Sequence, residues 1–208
     1  MRMGGGTMDV YGFNECAAVY VTFPVETRSF SCNLPISHLV KLLRNPGTEN
    51  NVHLGFSYDH LRVTCGVMQH KVKYVNKPIP DVKYPTVRPA ARYEVKLPVL
   101  KQFLRMASDE VVLHQSHGLC LKSTTDGMVE SSVHFPTYND PLLTLFNIPL
   151  LCTEPWPEGC KYSTVFLSQL SKVHSFTSEG VLVVCVNHLV FTGWREDVKV
   201  RICFTSKC

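Results

Sequence analysis

The chain has 208 residues, of which 45% are hydrophobic and 18% charged, enough apolar content to bury a core as one domain or two small ones and so to exclude a disordered or fibrous protein. The net charge of +4 is uneven: residues 1–90 hold 10 Lys and Arg against 6 Asp and Glu, whereas residues 91–208 hold 11 of each. The chain is therefore not polybasic as a whole, and any contact with nucleic acid has to come from the arrangement of its cations.

In chain order, apolar and polar residues first alternate over 7–11 and 17–23, which predicts a hairpin with no helix before it. A strand at 28–34 leads into a helix at 35–44, and strands follow at 52–56, 61–65 and 68–74, with a turn at Tyr58, Asp59 and His60. Residues 75–91 contain Pro78, Pro80, Pro85 and Pro89, too many prolines for regular structure, and read as a connector. A second strand at 92–97 leads into a helix at 98–107 and then strands at 111–115, 119–123 and 128–135. Residues 136–160 are a long apolar loop, with 142–151 nearly all apolar and Trp156 between two prolines. The favoured expectation is that this loop folds back as an extra strand pair, the other being an exposed docking patch. A third strand at 161–164 leads into a helix at 165–176, and strands close the chain at 181–186, 189–192 and 198–204.

One unit thus recurs three times: a leading strand, a helix and three antiparallel strands, with the helices starting at nearly even intervals at 35, 98 and 165. Even spacing with constant element order points to internal duplication, and the upstream hairpin makes three and a half repeats. The division is into 1–76, an N-terminal domain whose first helix is missing, a connector at 77–91 and a C-terminal domain at 92–208.

The helices share one property. Ile36, Leu39, Val40 and Leu43 lie opposite His38, Lys41 and Arg44 on the first. Val99, Leu100, Phe103, Leu104 and Ala107 oppose Lys101, Gln102 and Arg105 on the second, and Phe166, Leu170 and Val173 oppose Ser168, Ser171, Lys172 and Ser175 on the third. Each polar face carries a cation and none carries a carboxylate. A single such helix is an ordinary solvated surface, but three without an acid suit a surface that follows a phosphate backbone and does not read bases.

Enzymatic chemistry finds little support. His114, His117 and Cys120 have a metal-like spacing but straddle a strand, a turn and the next strand, so alternation is expected to scatter them. Gly4, Gly5 and Gly6 lack the strand before and helix after that a phosphate loop needs. Asp109 with Glu110, and Glu196 with Asp197, fall between elements as turn or helix-end residues. No catalytic residue, metal or cofactor is assigned. No stretch resembles a signal peptide, and apolar runs such as 181–186 are too short to cross a bilayer, so the expectation is a soluble intracellular protein with no membrane partner. Without a secretion signal or an Asn-x-Ser/Thr sequon, the nine cysteines are expected to be reduced thiols.

This layout resembles the DNA sliding-clamp superfamily, in which such modules form a ring with sheets outside and helices lining a hole around duplex DNA. Thr7, Met8, Asp9 and Val10, followed by the strand at 17–23, are similar to the hairpin after the first inner helix of clamps such as proliferating cell nuclear antigen. The resemblance covers 7–135 and 160–204. Within the superfamily it is nearest to the Hus-type subunit of the heterotrimeric checkpoint clamp. The residues that carry this are 77–80 in the connector, 96–101 entering the second helix, 111–135, and Asn139 to Leu142. It implies an α+β DNA-clamp fold, repeated β-α-β-β-β modules forming a curved antiparallel sheet with helices on one face. It also implies a non-enzymatic, nuclear subunit that encircles double-stranded DNA without sequence preference. Its partners would be other clamp subunits, a clamp loader and repair or checkpoint proteins.

Under the resemblance, Lys41, Arg44, Lys101, Arg105 and Lys172 face DNA, and client peptides dock beneath the connector at Ile79, Val82, Tyr84 and Val87 beside Phe30 and Cys32. The same docking residues would equally serve to pack the connector on the sheet. A complete clamp subunit has four inner helices, and here residues 1–6 cannot supply the first, which bears on ring closure at that edge. Three other readings stay open: a replicative homo-oligomeric clamp that tethers a polymerase, a scaffold that kept the fold and lost DNA, and an enzyme using the His and Cys cluster, which would carry bound metal.

Overall fold

The computed structural model describes residues 2–4, 7–13, 17–24, 30–43, 52–75, 87–125, 127–139, 151–157 and 159–205. They form fifteen strands and four helices, and every strand pairing is antiparallel. The chain divides into two compact units, 1–9 with 25–83, and 10–24 with 84–208. The hairpin residues 10–24 thus group with the C-terminal part of the chain and not with 1–76, because the strand at Ala17–Pro24 pairs with the last strand of the chain.

The first unit holds β1 (Arg2–Gly4), the start of β2 (Thr7–Phe13), β4 (Phe30–Ser31), α1 (Ile36–Leu43) and the meander β5 (Val52–Phe56), β6 (His60–Cys65) and β7 (Met68–Lys73). β1 pairs with both β2 and β4, so residues 2–4, for which no element is expected from sequence, form a strand. Alternation along β6 buries Leu61, Val63 and Cys65 and exposes Arg62. Leu61, Val63 and Val72 make the core, and Leu34, Leu42, Val52, Phe56 and Tyr74 pack around it. Leu42, outside the predicted apolar face of α1, therefore points into this core. The side chains of Ile36, Leu39, Val40 and Leu43 lie outside the described residues, as does the connector over 76–86.

The second unit contains β3 (Ala17–Pro24), β8 (Ala91–Lys96), α2 (Leu97–Met106), β9 (Glu110–Gln115), β10 (Leu119–Thr125), β11 (Val129–Phe135), β12 (Lys161–Ser163), α3 (Thr164–Leu167), α4 (Leu170–Val173), β13 (Glu179–Val184), β14 (His188–Arg195) and β15 (Val198–Thr205). Its two modules exchange their leading strands. β8, which leads into α2, pairs with β13 of the other module, with Leu182 opposite Tyr93. β12, which leads into α3, pairs in turn with β9, with Tyr162 opposite Val111. The helix starts mirror this exchange: Leu97 N–H donates to Ser178 O (2.8 Å) and Thr164 N–H donates to Asp109 O (2.9 Å). Each helix thereby hands one of its unpaired N-terminal donors to the carbonyl just before the strand that follows the other module's helix. With the end of β2, which belongs to this unit, the two sheets here run β11-β10-β9-β12 and β2-β3-β15-β14-β13-β8. One continuous core lies between them and the helices, and it includes Tyr93, Val95, Phe103, Leu113, Leu121, Tyr162, Leu170 and Phe191.

The third helix departs from expectation. Instead of one helix over 165–176 there are two short turns of helix, α3 and α4, separated by Ser168 and Gln169. The serines bend back onto the backbone: Ser168 Oγ donates to Val165 O (2.7 Å), Ser171 Oγ to Ser168 O (2.6 Å) and Ser175 Oγ to Lys172 O (3.3 Å). Main-chain bonds tighten to three-residue spacing at Gln169, Ser171 and Lys172, as expected where hydroxyls compete for carbonyls in a stretch of weak helix formers.

The described ends of the loop over 136–160 fold back onto β8. Thr137 bridges Tyr93, Tyr138 N–H donates to Arg92 O (2.9 Å), and Trp156 meets Tyr93 edge-on at 6.1 Å between ring centroids. Residues 140–150, which hold most of its apolar run, lie outside the described residues.

Candidate nucleic-acid interface

α2 begins with Leu97 and Pro98, a residue suited to the first helical turn because its missing N–H would be unpaired there. Leu97, Leu100, Phe103 and Leu104 are buried, and this fixes the helix rotation so that Gln102 and Arg105 are exposed and Lys101 is half-buried. Val99, expected on the apolar face, is 43% exposed instead, since the buried stripe runs through 97, 100 and 104. α4 packs against α2 and buries Leu170, leaving Lys172 exposed. Lys101, Arg105 and Lys172 thus lie on two helices that touch. In the first unit Lys41 and His38 of α1 are exposed, and Arg44 lies outside the described residues.

Among the described residues, none of the helices contains an acidic residue. Among the described residues, Lys41, Lys101, Arg105 and Lys172 take part in no ion pair. Two sheet lysines behave otherwise: Lys122 on β10 meets Glu130 at 3.2 Å, and Lys161 on β12 meets Glu110 at 3.3 Å. Unpaired cations on long, flexible stems can contact phosphates without first breaking an internal partner, and such contact is screened within about 10 Å at 0.1 M salt.

The docking residues fare differently. Cys32 is 5% exposed and Val87 7%, so both are core residues and not part of an accessible surface; burial also raises the Cys32 thiol above its ordinary range. Phe30 lies on β4, with its side chain outside the described residues, and Ile79, Val82 and Tyr84 lie outside them altogether.

The His and Cys cluster is arranged in a way that strand alternation alone does not reveal. Register places Cys120 on β10 directly opposite both His114 on β9 and His134 on β11, and Cys120 Sγ lies 3.5 Å from His134 Nε2. His114 and Cys120 are therefore cross-strand neighbours and not scattered, while His117 sits in the turn at φ 42°. His134 completes the row, and only register reveals it. Burial holds the Cys120 thiol up, and no group of His, Cys, Asp and Glu among the described residues could hold a metal ion. The seven described cysteines are all free; burial pushes Cys185 up to about 12 and Cys203 up to about 11, which keeps both protonated and unreactive.

No protein-family model and no curated protein matches the sequence. Among solved structures the chain is similar to the proliferating cell nuclear antigen (PCNA) of Thermococcus kodakaraensis, with a TM-score of 0.71 and 13% identity over 99% of this chain and 89% of that one. At this identity the likeness is one of fold: the chain has the α+β fold of the sliding clamps, built mostly of antiparallel sheets with few helices.

Proposed function

We propose that this chain is a non-enzymatic subunit of a DNA sliding clamp, held on duplex DNA by encirclement and not by tight binding. The observation that carries this reading is the set of unpaired cations on acid-free helices, Lys41, Lys101, Arg105 and Lys172, in a chain with the clamp fold. A ring that slides needs only to avoid repulsion and to touch phosphates transiently, which unpaired Lys and Arg provide without reading sequence. The resemblance of 77–80, 96–101 and 111–135 to the Hus-type subunit favours the checkpoint clamp, with different clamp subunits, a loader and repair proteins as nuclear partners.

The test is duplex-DNA association by fluorescence anisotropy over a salt series, comparing the parent with a variant in which Lys41, Arg44, Lys101, Arg105 and Lys172 are all alanine. The variant should bind more weakly at low salt. Its log-log salt slope should be shallower by about 0.9 for each phosphate that is no longer neutralised, with little change in folding from the exposed Lys41, Arg105 and Lys172, which contribute about 0.5 kcal/mol or less each. Equal affinity and slope would exclude these helices as the DNA-facing surface. Light scattering over a dilution series separates the two clamp types: a persistent monomer supports a subunit that needs different partners, and a stable homo-oligomer supports the replicative clamp.

A further inference from the structure

The meander of the first unit has a second face that the DNA reading does not use. Leu61, Val63 and Val72 point into the core on which Leu42 of α1 packs, so alternation turns Arg62, Lys71 and Lys73 to the side away from the helix. All residues from 52 to 75 are described, and these three cations are exposed. Register puts Lys71 directly opposite Arg62 and Lys73 opposite His60, and the next row on this face is His53, Thr64 and Gln69. The cross-strand pair and the two-residue step along β7 set the three charges within a patch of about 5 by 7 Å.

Little on this face offsets the charge. Among the described residues Arg62, Lys71 and Lys73 take part in no ion pair. Asp59 is the one acid in 52–75, and its carboxylate, which also acts on Lys73, is already engaged with His60 Nδ1 at 2.5 Å. Like charges directly opposite each other on neighbouring strands destabilise a sheet, so the free chain carries a repulsion here that an anion would relieve. Gly55 flanks Arg62 in the same row, and a Cβ there would meet only Arg62, at an ordinary 3.6 Å from its Cβ. Packing therefore does not require glycine at 55, and a bare position within a strand lets another backbone come close.

The occupant follows from what the face lacks. It presents His53, Gly55, Thr64 and Gln69 beside the cations, and Val52, Leu54 and Phe56 alternate to the other side, so no apolar anchor is on offer. Protein partners are held by aromatic and aliphatic anchors, and lysine is depleted at the centre of their interfaces. Among the described residues a second copy offers exposed Asp109, Glu130, Glu179, Glu196 and Asp197. Lys122 pairs with Glu130, Lys96 stands opposite Glu179, and Arg195 and Lys199 flank Glu196 and Asp197, which leaves Asp109 as a single charge. Duplex DNA needs no apolar anchor, and each strand carries one charge per about 3.4 Å of axis, so two or three adjacent phosphates match the patch. The face has no Phe, Tyr or Trp on which unstacked bases could lie, which favours a duplex over a single strand.

We infer that this face of the β5-β6-β7 meander binds the phosphate backbone of duplex DNA through Arg62, Lys71 and Lys73, as a second DNA surface on the side of the sheet away from α1. The inference goes beyond the helix reading, and either can fail without the other.

The experiment follows a fluorescein-labelled duplex by anisotropy against the full chain over a salt series. The variant Arg62→Ala, Lys71→Ala, Lys73→Ala should bind about tenfold or more weaker at low salt, with a log-log slope shallower by about 2 to 3. The charge-keeping variant Arg62→Lys, Lys71→Arg, Lys73→Arg should bind like the parent, because phosphate contact needs charge and no particular shape. The duplex should shift the amide resonances of 53–55, 60–64 and 69–73, and without DNA the alanine variant should keep the parent's amide spectrum elsewhere. Equal affinity and slope for parent and alanine variant, or no shift of those amides, overturns the inference and leaves the helix reading standing. Loss of binding in this variant with full binding in the helix variant supports the inference and removes the helix reading. Polyglutamate that shifts the same amides at a lower concentration of charge than the duplex would make the occupant an acidic protein, and self-association that the alanine variant abolishes would make it a second copy. Either result overturns the inference.

Discussion

Ser123 shows how one buried hydroxyl holds two modules' worth of backbone in place. It is 3% exposed; its Oγ accepts from Ser108 N–H (2.9 Å), donates to Glu110 O (2.9 Å) and lies 2.8 Å from Ser108 Oγ. These bonds tie the end of α2 to the first turn of β9, next to Asp109, whose carbonyl receives Thr164 N–H from the other module. Removing the hydroxyl strands a half-buried amide, and an unsatisfied buried donor costs about 1–3 kcal/mol. Ser123→Ala should therefore lower stability by that amount in urea unfolding, whereas Ser108→Ala, which keeps the amide bonded, should cost less. Equal, small losses for both would mean that water replaces Ser123. Gly118 makes the same point about backbone: at φ +148° its place in the turn after β9 leaves a Cβ only 2.4 Å from Phe135 O, so the turn requires glycine.

At the scale of elements, the sequence is legible wherever structure is set locally and illegible where it is set by pairing. Alternation locates the strands of the meanders to within a few residues, and the Leu100, Phe103 and Leu104 stripe fixes α2, although Leu97 reads as the end of the strand before it. Strand exchange between β8 and β12 cannot be read, because Val95 and Tyr162 alternate identically whichever neighbour they pair with, and only tertiary packing chooses. The same limit hides the His114, Cys120 and His134 row. It also makes Cys32 and Val87 ambiguous, since their apolar character fits a docking surface or a core equally well. The cations of the helices are legible because charge on a helical face needs no long-range information. The break between α3 and α4 is hidden because the apolar positions 166, 170 and 173 keep a helical period while the serines between them compete for carbonyls. Replacing Ser168 and Ser171 with alanine should relieve that competition and raise stability by about 0.5 kcal/mol per site, measured by thermal unfolding with helical ellipticity as a second readout. A loss of stability instead would show that the hydroxyl bonds define the α3 to α4 turn against which α2 packs.

For the molecule as a whole, the two compact units differ in what holds each together. Among the described residues the first unit is centred on Leu61, Val63 and Val72, whereas the second buries a continuous core that runs from Ala91 to Phe204. The first unit is the smaller and so buries a smaller fraction of its chain, whereas the two-sheet unit buries both faces of β13. Unfolding should accordingly occur in two phases, and native-state hydrogen exchange should find the amides of β5, β6 and β7 opening at a lower free energy than those of β8, β13, β14 and β15. One common opening energy for all these strands would refute the division into unequal units.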